Sequence, residues 1–307
     1  MAAKHPGVVY GRRVAIVDGL RTPFVKSGTE FKDVSALDLA SGVVTELIQR
    51  SGVDGAQVDQ VVYGTVIPDV GGPNIAREIV LACDMPDSVD AYSVSRACAT
   101  STQAVVSGAQ SILLGDADIV IAGGADSLSK PPILYSDRFV DILMDANAAK
   151  DIGGKMKAFS ALRPKDLAPH PPAVAERSTG LTMGGSAEIM AKQNGISREE
   201  QDAFALRSHQ KASEAWESGI FDDEVMPFPV GPDYRRTVSR DNLPRPDTSL
   251  EALAGLKPVF DRKYGTITAG NSSPLTDGAS AIVLMEEKTA DRLGLVPRAF
   301  IRSWAVS

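Results

Sequence analysis

The residue best suited to chemistry in this 307-residue sequence is Cys98. It stands where a strand-like segment, 91–95, meets a helix-like segment without charged residues, 98–114. A thiol at the start of a helix faces unpaired backbone N–H groups and the positive end of the helix dipole, and both favour the reactive thiolate. The pattern predicts a nucleophile at a strand-to-helix turn. The residues alone leave an inert buried cysteine equally open, because free cysteines are often buried.

The other residues with catalytic or metal-binding chemistry are few. Beside Cys98 the sequence has one further cysteine, Cys83, and three histidines, His5, His170 and His209. Two cysteines cannot form a disulfide framework, which indicates a reducing compartment. Neither cysteine has the spacing to a histidine or a second cysteine that is typical of zinc sites. The sequence therefore predicts no metal.

Two features have the composition of a ligand-binding region. The segment 268–278 (TAGNSSPLTDG) is rich in small residues, which let the main chain approach a ligand closely, although a plain turn explains it too. Positive charge is concentrated shortly before it, and arginine suits the phosphate groups of a ligand, although a solvated loop is the alternative. The residues concerned are Arg235, Arg236, Arg240, Arg245, Lys257, Arg262 and Lys263.

Short apolar runs alternate with helical patterns along most of the chain. The runs 14–18, 61–63 and 119–122 predict buried strands joined by crossover helices. Later strands are expected at 281–285 and 298–306. Apolar spacing and capping signals predict helices at 36–50, 74–82, 98–114, 145–157, 197–219 and 287–293. The fold class is therefore α/β.

The helix over 98–114 has no charged face, so it is expected to be buried all round, between two layers. From residue 131 the character changes to frequent prolines and interrupted helices, which predicts an insertion into the α/β domain. The domains are then a first part at 1–130, an inserted loop domain at 131–261, a final strand and helix at 262–290, and the start of another domain at 291–307.

Composition excludes several function classes. A formal net charge of −7 argues against a nucleic-acid binder or a membrane-surface binder. No apolar run reaches the length that a transmembrane helix requires, and the N-terminus has no signal-peptide pattern. A cytoplasmic protein is expected.

Long motifs resemble the thiolases, in family order. They occupy 14–24 (VAIVDGLRTPF), 93–129 around Cys98, 183–212 and 256–285. The motif NSSPLTDGAS at 271–280 is most similar to that of the long-chain 3-ketoacyl-CoA thiolases that partner a hydratase/dehydrogenase subunit. The resemblance implies a mixed five-stranded sheet layered with helices, an inserted loop domain, and a homo-oligomer.

The resemblance also implies roles for individual residues. Cys98 matches the family nucleophile, which carries the acyl group, and Ser273 matches a serine that contacts CoA. Arg245 is the best match to the CoA-binding arginine, and Met183 matches a methionine that lines the acyl pocket. Thr182 stands where several relatives have a histidine, which leaves the chain-length preference open. No metal or redox cofactor is implied, since CoA is a substrate.

Three family motifs that lie later in the chain are absent from the 307 residues: the Gly-His-Pro histidine, an Asn- or His-Glu-Ala-Phe motif, and a second cysteine in Cys-x-Gly-Gly. The expectation is a thiolase whose second α/β half is missing or supplied by another chain. Its reaction would be thiolytic cleavage of 3-ketoacyl-CoA, or the reverse condensation, in fatty acid oxidation. The alternative is a non-catalytic CoA-binding or assembly module. A ketosynthase-type condensing enzyme is disfavoured, because that group needs two histidines.

Overall fold

The computed structural model describes residues 11–169 and 175–306. The strands of that part are β1 (Val14–Arg21), β2 (Val25–Lys26), β3 (Gln60–Gly64), β4 (Asp90–Val94), β5 (Ile119–Ser127), β6 (Phe228–Val230), β7 (Arg236–Val238), β8 (Thr276–Glu286) and β9 (Ala299–Phe300). The helices are α1 (Ala36–Ser51), α2 (Ile75–Ala82), α3 (Thr100–Leu114), α4 (Asp137–Ala148), α5 (Ile152–Phe159), α6 (Met183–Gln193), α7 (Arg198–Glu217), α8 (Leu250–Ala254) and α9 (Glu287–Leu293).

The main sheet is mixed, with the strand order β4-β3-β5-β8-β1-β9. β3 is parallel to both β4 and β5, whereas β8 is antiparallel to β5 and β1. Five strands of five or more residues form its body, and the two-residue strands β2 and β9 add to it at β8 and β1. The predicted α/β class and mixed five-stranded sheet are confirmed.

The two faces of this sheet are covered by different helices. α1 and α2 pack on one face with the larger buried cluster, and α1 is fixed by a capping box of Ser35 and Asp38 and by Gly52 in the left-handed conformation. α3 packs on the other face, against β3, β5 and β8. Sheet and helices therefore form the layers that the sequence pattern predicts.

The prediction that α3 is buried all round is wrong for this chain. Ala104, Gly108 and Ile112 face the sheet and are buried, but Thr102 and Gln110 are exposed and Leu114 is 67% exposed. A helix without charges therefore contacts the sheet on one side only. Its uncharged outer side faces solvent.

Contacts divide the chain into two compact units. Residues 131–183 form the smaller one, and the remaining residues form the unit that contains the sheet. In the smaller unit Ser136 caps α4 and Asp151 caps α5, while the buried Asp166 pairs with Arg138. The smaller unit begins where the predicted insertion begins. Its predicted extension to residue 261, like the other domain boundaries, stays a prediction.

Two elements differ from the sequence expectation. The single helix predicted over 145–157 is wrong: α4 ends at Ala148, and α5 starts anew where Asp151 accepts a hydrogen bond from the Gly154 N–H at 2.7 Å. The strand predicted over 298–306 is limited to β9, because only Ala299 and Phe300 pair with β1. Across the described residues, no helix is long and apolar enough to cross a membrane.

Candidate functional site

Cys98 lies in a tight turn between β4 and α3. Ala97, just before it, has a φ of 43°, a left-handed conformation that is uncommon for a residue with a side chain. The buried Thr100 stabilises this turn, because its hydroxyl donates to the Ala97 carbonyl at 2.7 Å and accepts from the Arg96 N–H at 2.8 Å. The turn leaves the Cys98 side chain exposed beside the first turn of α3.

Two glycines let this turn approach the sheet closely. A Cβ atom on Gly64, at the end of β3, would lie 2.3 Å from the Val94 carbonyl oxygen and 2.4 Å from Thr100 Cγ2. A Cβ on Gly124, in β5, would lie 3.0 Å from Ser101 Cβ. No other residue type leaves this space, so the glycines bring the start of α3 against the ends of two strands.

A cleft of about 210 Å³ opens beside Cys98. It is formed where β3 and β5 end and where β8 begins, since parallel strands end at the same edge of a sheet. The described residues that line it are Phe24, Gly64, Val66, Ala97, Cys98, Thr100, Ser101, Gly124, Ala125, Asp126, Thr276, Gly278, Ala279 and Ser280. The cleft is small, and its walls are mostly uncharged.

The start of α3 adds an electrostatic feature to the cleft. Ala99 is the N-terminal cap residue and has no side-chain hydrogen bond to the first turn. Backbone N–H groups at a helix start lack partners within the helix and carry a partial positive charge. At α3 the N–H groups of Ala99 and Thr100 already donate to the carbonyls of Arg96 and Ala97, at 3.0 Å and 3.1 Å. The helix dipole and the N–H groups further along the first turn can therefore stabilise negative charge on a substrate oxygen held near Cys98.

Among the described residues that line this cleft, Asp126 is the one carboxylate. It accepts hydrogen bonds from the N–H groups of Val66 at 2.9 Å and of Ile67 at 3.1 Å, and so fixes the segment that follows β3. Burial raises the pKa of Asp126 above its usual value, partly offset by those two hydrogen bonds. The sequence expectations missed this residue. The sequence feature that could have identified it is an acidic residue that follows Gly-Gly-Ala near the end of the buried strand β5.

Ser273 and Arg245 lie outside this lining, but α7 holds Arg245 itself and Asn271, which precedes Ser273 by two residues. Ser273 is exposed, three residues before Thr276 of the cleft, and nearby Asn271 donates to Asp202 of α7 at 2.9 Å. The Arg245 N–H donates to Nδ1 of His209, also on α7, at 3.3 Å. The pKa of His209 is lowered by burial and by the charge of Arg245, which keeps this nitrogen free to accept.

The spacing along α7 relates these two segments. Asp202 and His209 are seven residues apart, which is two turns and about 10 Å of helix. They lie on the same side of α7, so the two segments that they hold follow one side of this helix. Arg245 is exposed, and no carboxylate among the described residues lies within ion-pairing distance of its guanidinium.

The structure does not place Met183 in the cleft. Met183 is 58% exposed at the start of α6 and belongs with the smaller unit. Of the histidines, His209 is not among the described residues that line the cleft, whereas His5 and His170 lie outside the described residues. Within the described part of the chain, no group of three or more His, Cys, Asp or Glu residues could hold a metal ion.

Comparisons with known proteins identify the family that this chain is similar to. The family model described as "Thiolase, N-terminal domain" matches residues 14–288. The 3-ketoacyl-CoA thiolase of Serratia proteamaculans is 53% identical over 298 residues, which cover 97% of this chain and 68% of that relative. The 3-ketoacyl-CoA thiolase of Yersinia pestis is 54% identical over 297 residues, with the same two coverages.

Two solved structures are similar to the whole described fold. The Bacillus anthracis acetyl-CoA acetyltransferase superimposes with a TM-score of 0.79 and 34% identity, covering 93% of this chain and 68% of that one. The human mitochondrial 3-ketoacyl-CoA thiolase in complex with CoA gives a TM-score of 0.79 and 30% identity, covering 94% of this chain and 69% of that one. Sequence motifs and fold therefore agree on one family.

Proposed function

Because this chain belongs to the thiolase family, as its motifs predicted, we propose that it cleaves 3-ketoacyl-CoA by thiolysis, with Cys98 as the residue that carries the acyl group. The observation that carries this proposal is the position of Cys98. It is exposed in a cleft, after a left-handed residue and beside an uncapped helix start. Such turns present nucleophiles to a substrate.

The reaction has two steps. The Cys98 thiolate attacks the 3-keto carbon, the bond between C2 and C3 breaks, and C2 takes up a proton to leave as acetyl-CoA. The shortened acyl group is then bound to Cys98 as a thioester. The thiolate of a second CoA attacks this thioester, and the Cys98 thiolate leaves. Run in reverse, the same steps form a carbon–carbon bond by Claisen condensation.

The first turn of α3 contributes by stabilising the sulfur anion at the start and end of this cycle. CoA is a substrate in it, and neither step uses a metal or a redox cofactor. The proton transfers need an acid and a base, and the described lining of the cleft includes no histidine. A family histidine in a Gly-His-Pro motif fills this role by resemblance, and the 307 residues do not contain that motif.

The absence of the Gly-His-Pro motif from the 307 residues also favours a second candidate function. In this candidate, the polypeptide alone binds CoA or assembles with another chain and does not turn over substrate. The two candidates differ in one respect only, which is whether a base reaches Cys98. Both keep the cleft and the CoA-binding residues.

The side of α7 that holds Arg245 and the Ser273 segment is the proposed place for CoA. CoA is elongated, with phosphates towards one end and a thiol at the other. Arg245 suits the phosphates. The thiol end can extend past Ser273 towards Thr276, which lines the cleft with Cys98. Met183 is the proposed contact for the acyl chain, and fatty acid β-oxidation is the proposed role.

The proposal includes assembly and location. The outer side of α3 is uncharged, and no strand of the described residues pairs with the outer edge of β4. Surfaces of this kind associate, which supports a homo-oligomer. A hydratase/dehydrogenase subunit is the proposed partner, and the cytoplasm the proposed compartment. Light scattering of the purified chain tests the oligomer: a dilute, stable monomer would contradict it.

A chimera tests the activity. The chain is continued with the segment that follows the match in the Serratia proteamaculans relative, and cleavage of a 3-ketoacyl-CoA is followed with free CoA. We expect turnover that Cys98→Ser abolishes and that Cys83→Ser leaves within about twofold, because removing a nucleophile costs orders of magnitude. Turnover that survives Cys98→Ser would refute Cys98 as the nucleophile. A folded chimera that binds CoA without turnover would favour the second candidate.

A further inference from the structure

Two helices each direct a buried carboxylate at the same short loop, residues 266–271. The first carboxylate is Glu188 of α6, which is only 4% exposed. Its Oε1 accepts hydrogen bonds from the N–H groups of Thr266 at 2.9 Å and of Ile267 at 2.8 Å. One oxygen atom therefore fixes two successive peptide units at the start of the loop.

The second carboxylate is Asp202 of α7, which is 3% exposed. Its Oδ1 accepts from the Asn271 side-chain amide at 2.9 Å, while its Oδ2 is paired with Arg198. Asn271 passes this constraint on to the main chain: its Oδ1 accepts from the Thr268 N–H at 2.7 Å and its Nδ2 donates to the Thr266 carbonyl at 3.0 Å. Both ends of the loop are thus held.

The loop is also pressed against α8 and its following turn. A Cβ atom on Gly270 would lie 2.5 Å from Leu256 Cδ1 and 2.6 Å from Leu253 Cδ2. Thr268 is fully buried, whereas Ala269 and Ser273 remain exposed. The loop therefore has one fixed inner side and one open outer side.

These contacts hold a loop that contributes no residue to the two buried apolar clusters of the described structure. Burying a carboxylate is costly unless every hydrogen bond is satisfied, and here two such groups act on six residues. The sheet residues of β8 begin after the loop, at Thr276, and their core contacts do not involve it. What the carboxylates determine is the conformation of the loop, and through it the path of the chain from Ser273 to the Cys98 cleft.

We infer that Glu188 and Asp202 are positioning residues, which hold the 266–271 loop in the single conformation that receives CoA. The inference rests on the proposed function, because that function places CoA against this loop. Neither carboxylate touches the ligand. Each acts through backbone N–H groups or through Asn271, so that binding CoA does not have to order the loop.

Three variants of the 307-residue chain test this inference. Glu188→Leu removes both acceptors, whereas Glu188→Gln keeps an oxygen that can accept from two N–H groups. Asp59→Leu is the control for the lost hydrogen bonds alone, because the exposed Asp59 also accepts from two successive N–H groups, those of Asp118 at 2.8 Å and Ile119 at 2.9 Å. These lie at the start of β5, at the opposite end of the sheet from the cleft.

The dissociation constant of desulfo-CoA, which cannot form a disulfide with the protein, is measured by calorimetry. We expect Glu188→Leu to weaken binding by about tenfold or more, and Glu188→Gln and Asp59→Leu to stay within about threefold of the wild type. Amide hydrogen exchange should become faster in the peptide that contains residues 266–271 in Glu188→Leu alone. The rate of Cys98 alkylation should stay unchanged.

The outcomes separate the two claims. A wild-type chain that binds no desulfo-CoA overturns the CoA site of the proposed function and this inference with it. A wild-type chain that binds, together with a folded Glu188→Leu variant that binds equally well, overturns the inference alone. If Glu188→Leu does not fold, Asn271→Ala replaces it, because the half-buried Asn271 connects Asp202 to the main chain of the loop. Unchanged binding in Asn271→Ala overturns the inference as well.

Discussion

The two cysteines of this chain lie at opposite kinds of helix end. Cys98 comes just before the first turn of α3, is exposed, and lines a cleft. Cys83 is the residue that ends α2, and it is half-buried with Thr45 Oγ1 at 3.4 Å from its sulfur. A helix start carries partial positive charge and a helix end partial negative charge.

The same side chain therefore meets opposite electrostatic environments. Burial raises the pKa of the Cys83 thiol, with a smaller opposing contribution from Thr45, so Cys83 remains a packed thiol. Cys98, in contrast, is exposed by the left-handed turn and lies beside the start of α3. We therefore expect the reactivity of each thiol to depend on whether the chain enters or leaves a helix at that residue. Residue type alone does not determine it.

The largest expected effect concerns the rate of turnover, because Cys98 needs a general base that the cleft lining does not supply among the described residues. The 307-residue polypeptide should cleave acetoacetyl-CoA at least about 10⁴-fold more slowly than the chimera described above. A missing general base costs about 10²–10⁴-fold and each missing oxyanion donor about 10²–10³-fold. A spectrophotometric assay of acetoacetyl-CoA measures the rate. Turnover equal to that of the chimera, abolished by Cys98→Ser, would contradict the expectation.

Gly64→Ala should damage the Cys98 turn directly. The added Cβ would lie 2.3 Å from the Val94 carbonyl oxygen, and main chain cannot move aside as a flexible side chain can. We expect a loss of about 3 kcal/mol in the free energy of unfolding, measured with urea. Gly255→Ala is the control, because its Cβ would meet nothing closer than 3.6 Å. Equal stability of the two variants would show that α3 does not approach β3 this closely.

Thr100→Val should relax the turn without adding volume. It removes the two hydrogen bonds by which Thr100 fixes Arg96 and Ala97, at a cost of about 1–2 kcal/mol. The ratio of Cys98 to Cys83 alkylation should fall with it. Thr100→Ser keeps the hydroxyl and should retain the wild-type alkylation ratio. A lower ratio in Thr100→Ser, with an unchanged ratio in Thr100→Val, would argue against the role of these hydrogen bonds.

The smallest expected effect is the pH dependence that Asp126 contributes. Its native pKa lies above the usual value of 3.8, so the folded protein binds this proton more tightly than the unfolded chain does. The resulting stabilisation is fully present below the unfolded pKa and is lost as the pH rises through the native pKa. We therefore compare the free energies of unfolding of the wild type and Asp126→Asn by urea titration at several pH values. The excess stability of the wild type should decrease as the pH rises from the unfolded pKa through the native pKa of Asp126. An increase would contradict the direction, and the exposed Asp69→Asn is the control.

Much of this arrangement was predictable from local patterns. The capping box that starts α7, the extent of α9 and the strand-to-helix turn at Cys98 depend on neighbouring residues, and sequence spacing identified them. The uncharged sequence of α3 predicted that it needs a partner layer beyond its own sheet, but it did not reveal which residues face solvent without that layer.

The anchors of the site depend on residues that are distant in the chain. Glu188 meets Thr266, and Asp202 meets Asn271, across about 70 residues of sequence. Glu188 lies in α6, which the sequence analysis did not predict, and nothing in the sequence around Asp202 in α7 indicates that its carboxylate is buried. Asp126 was missed for the same reason, since its partners Val66 and Ile67 lie on another strand's loop.

The central claim is that Cys98 is the activated thiol of this chain, and competitive alkylation tests it most directly. The folded 307-residue protein is treated with limiting iodoacetamide, and labelling at Cys98 and Cys83 is mapped by mass spectrometry in one sample. We predict labelling of Cys98 about tenfold or more faster than of Cys83, with the difference disappearing in urea. Equal or reversed labelling in the folded protein would contradict the assignment of Cys98 as the nucleophile.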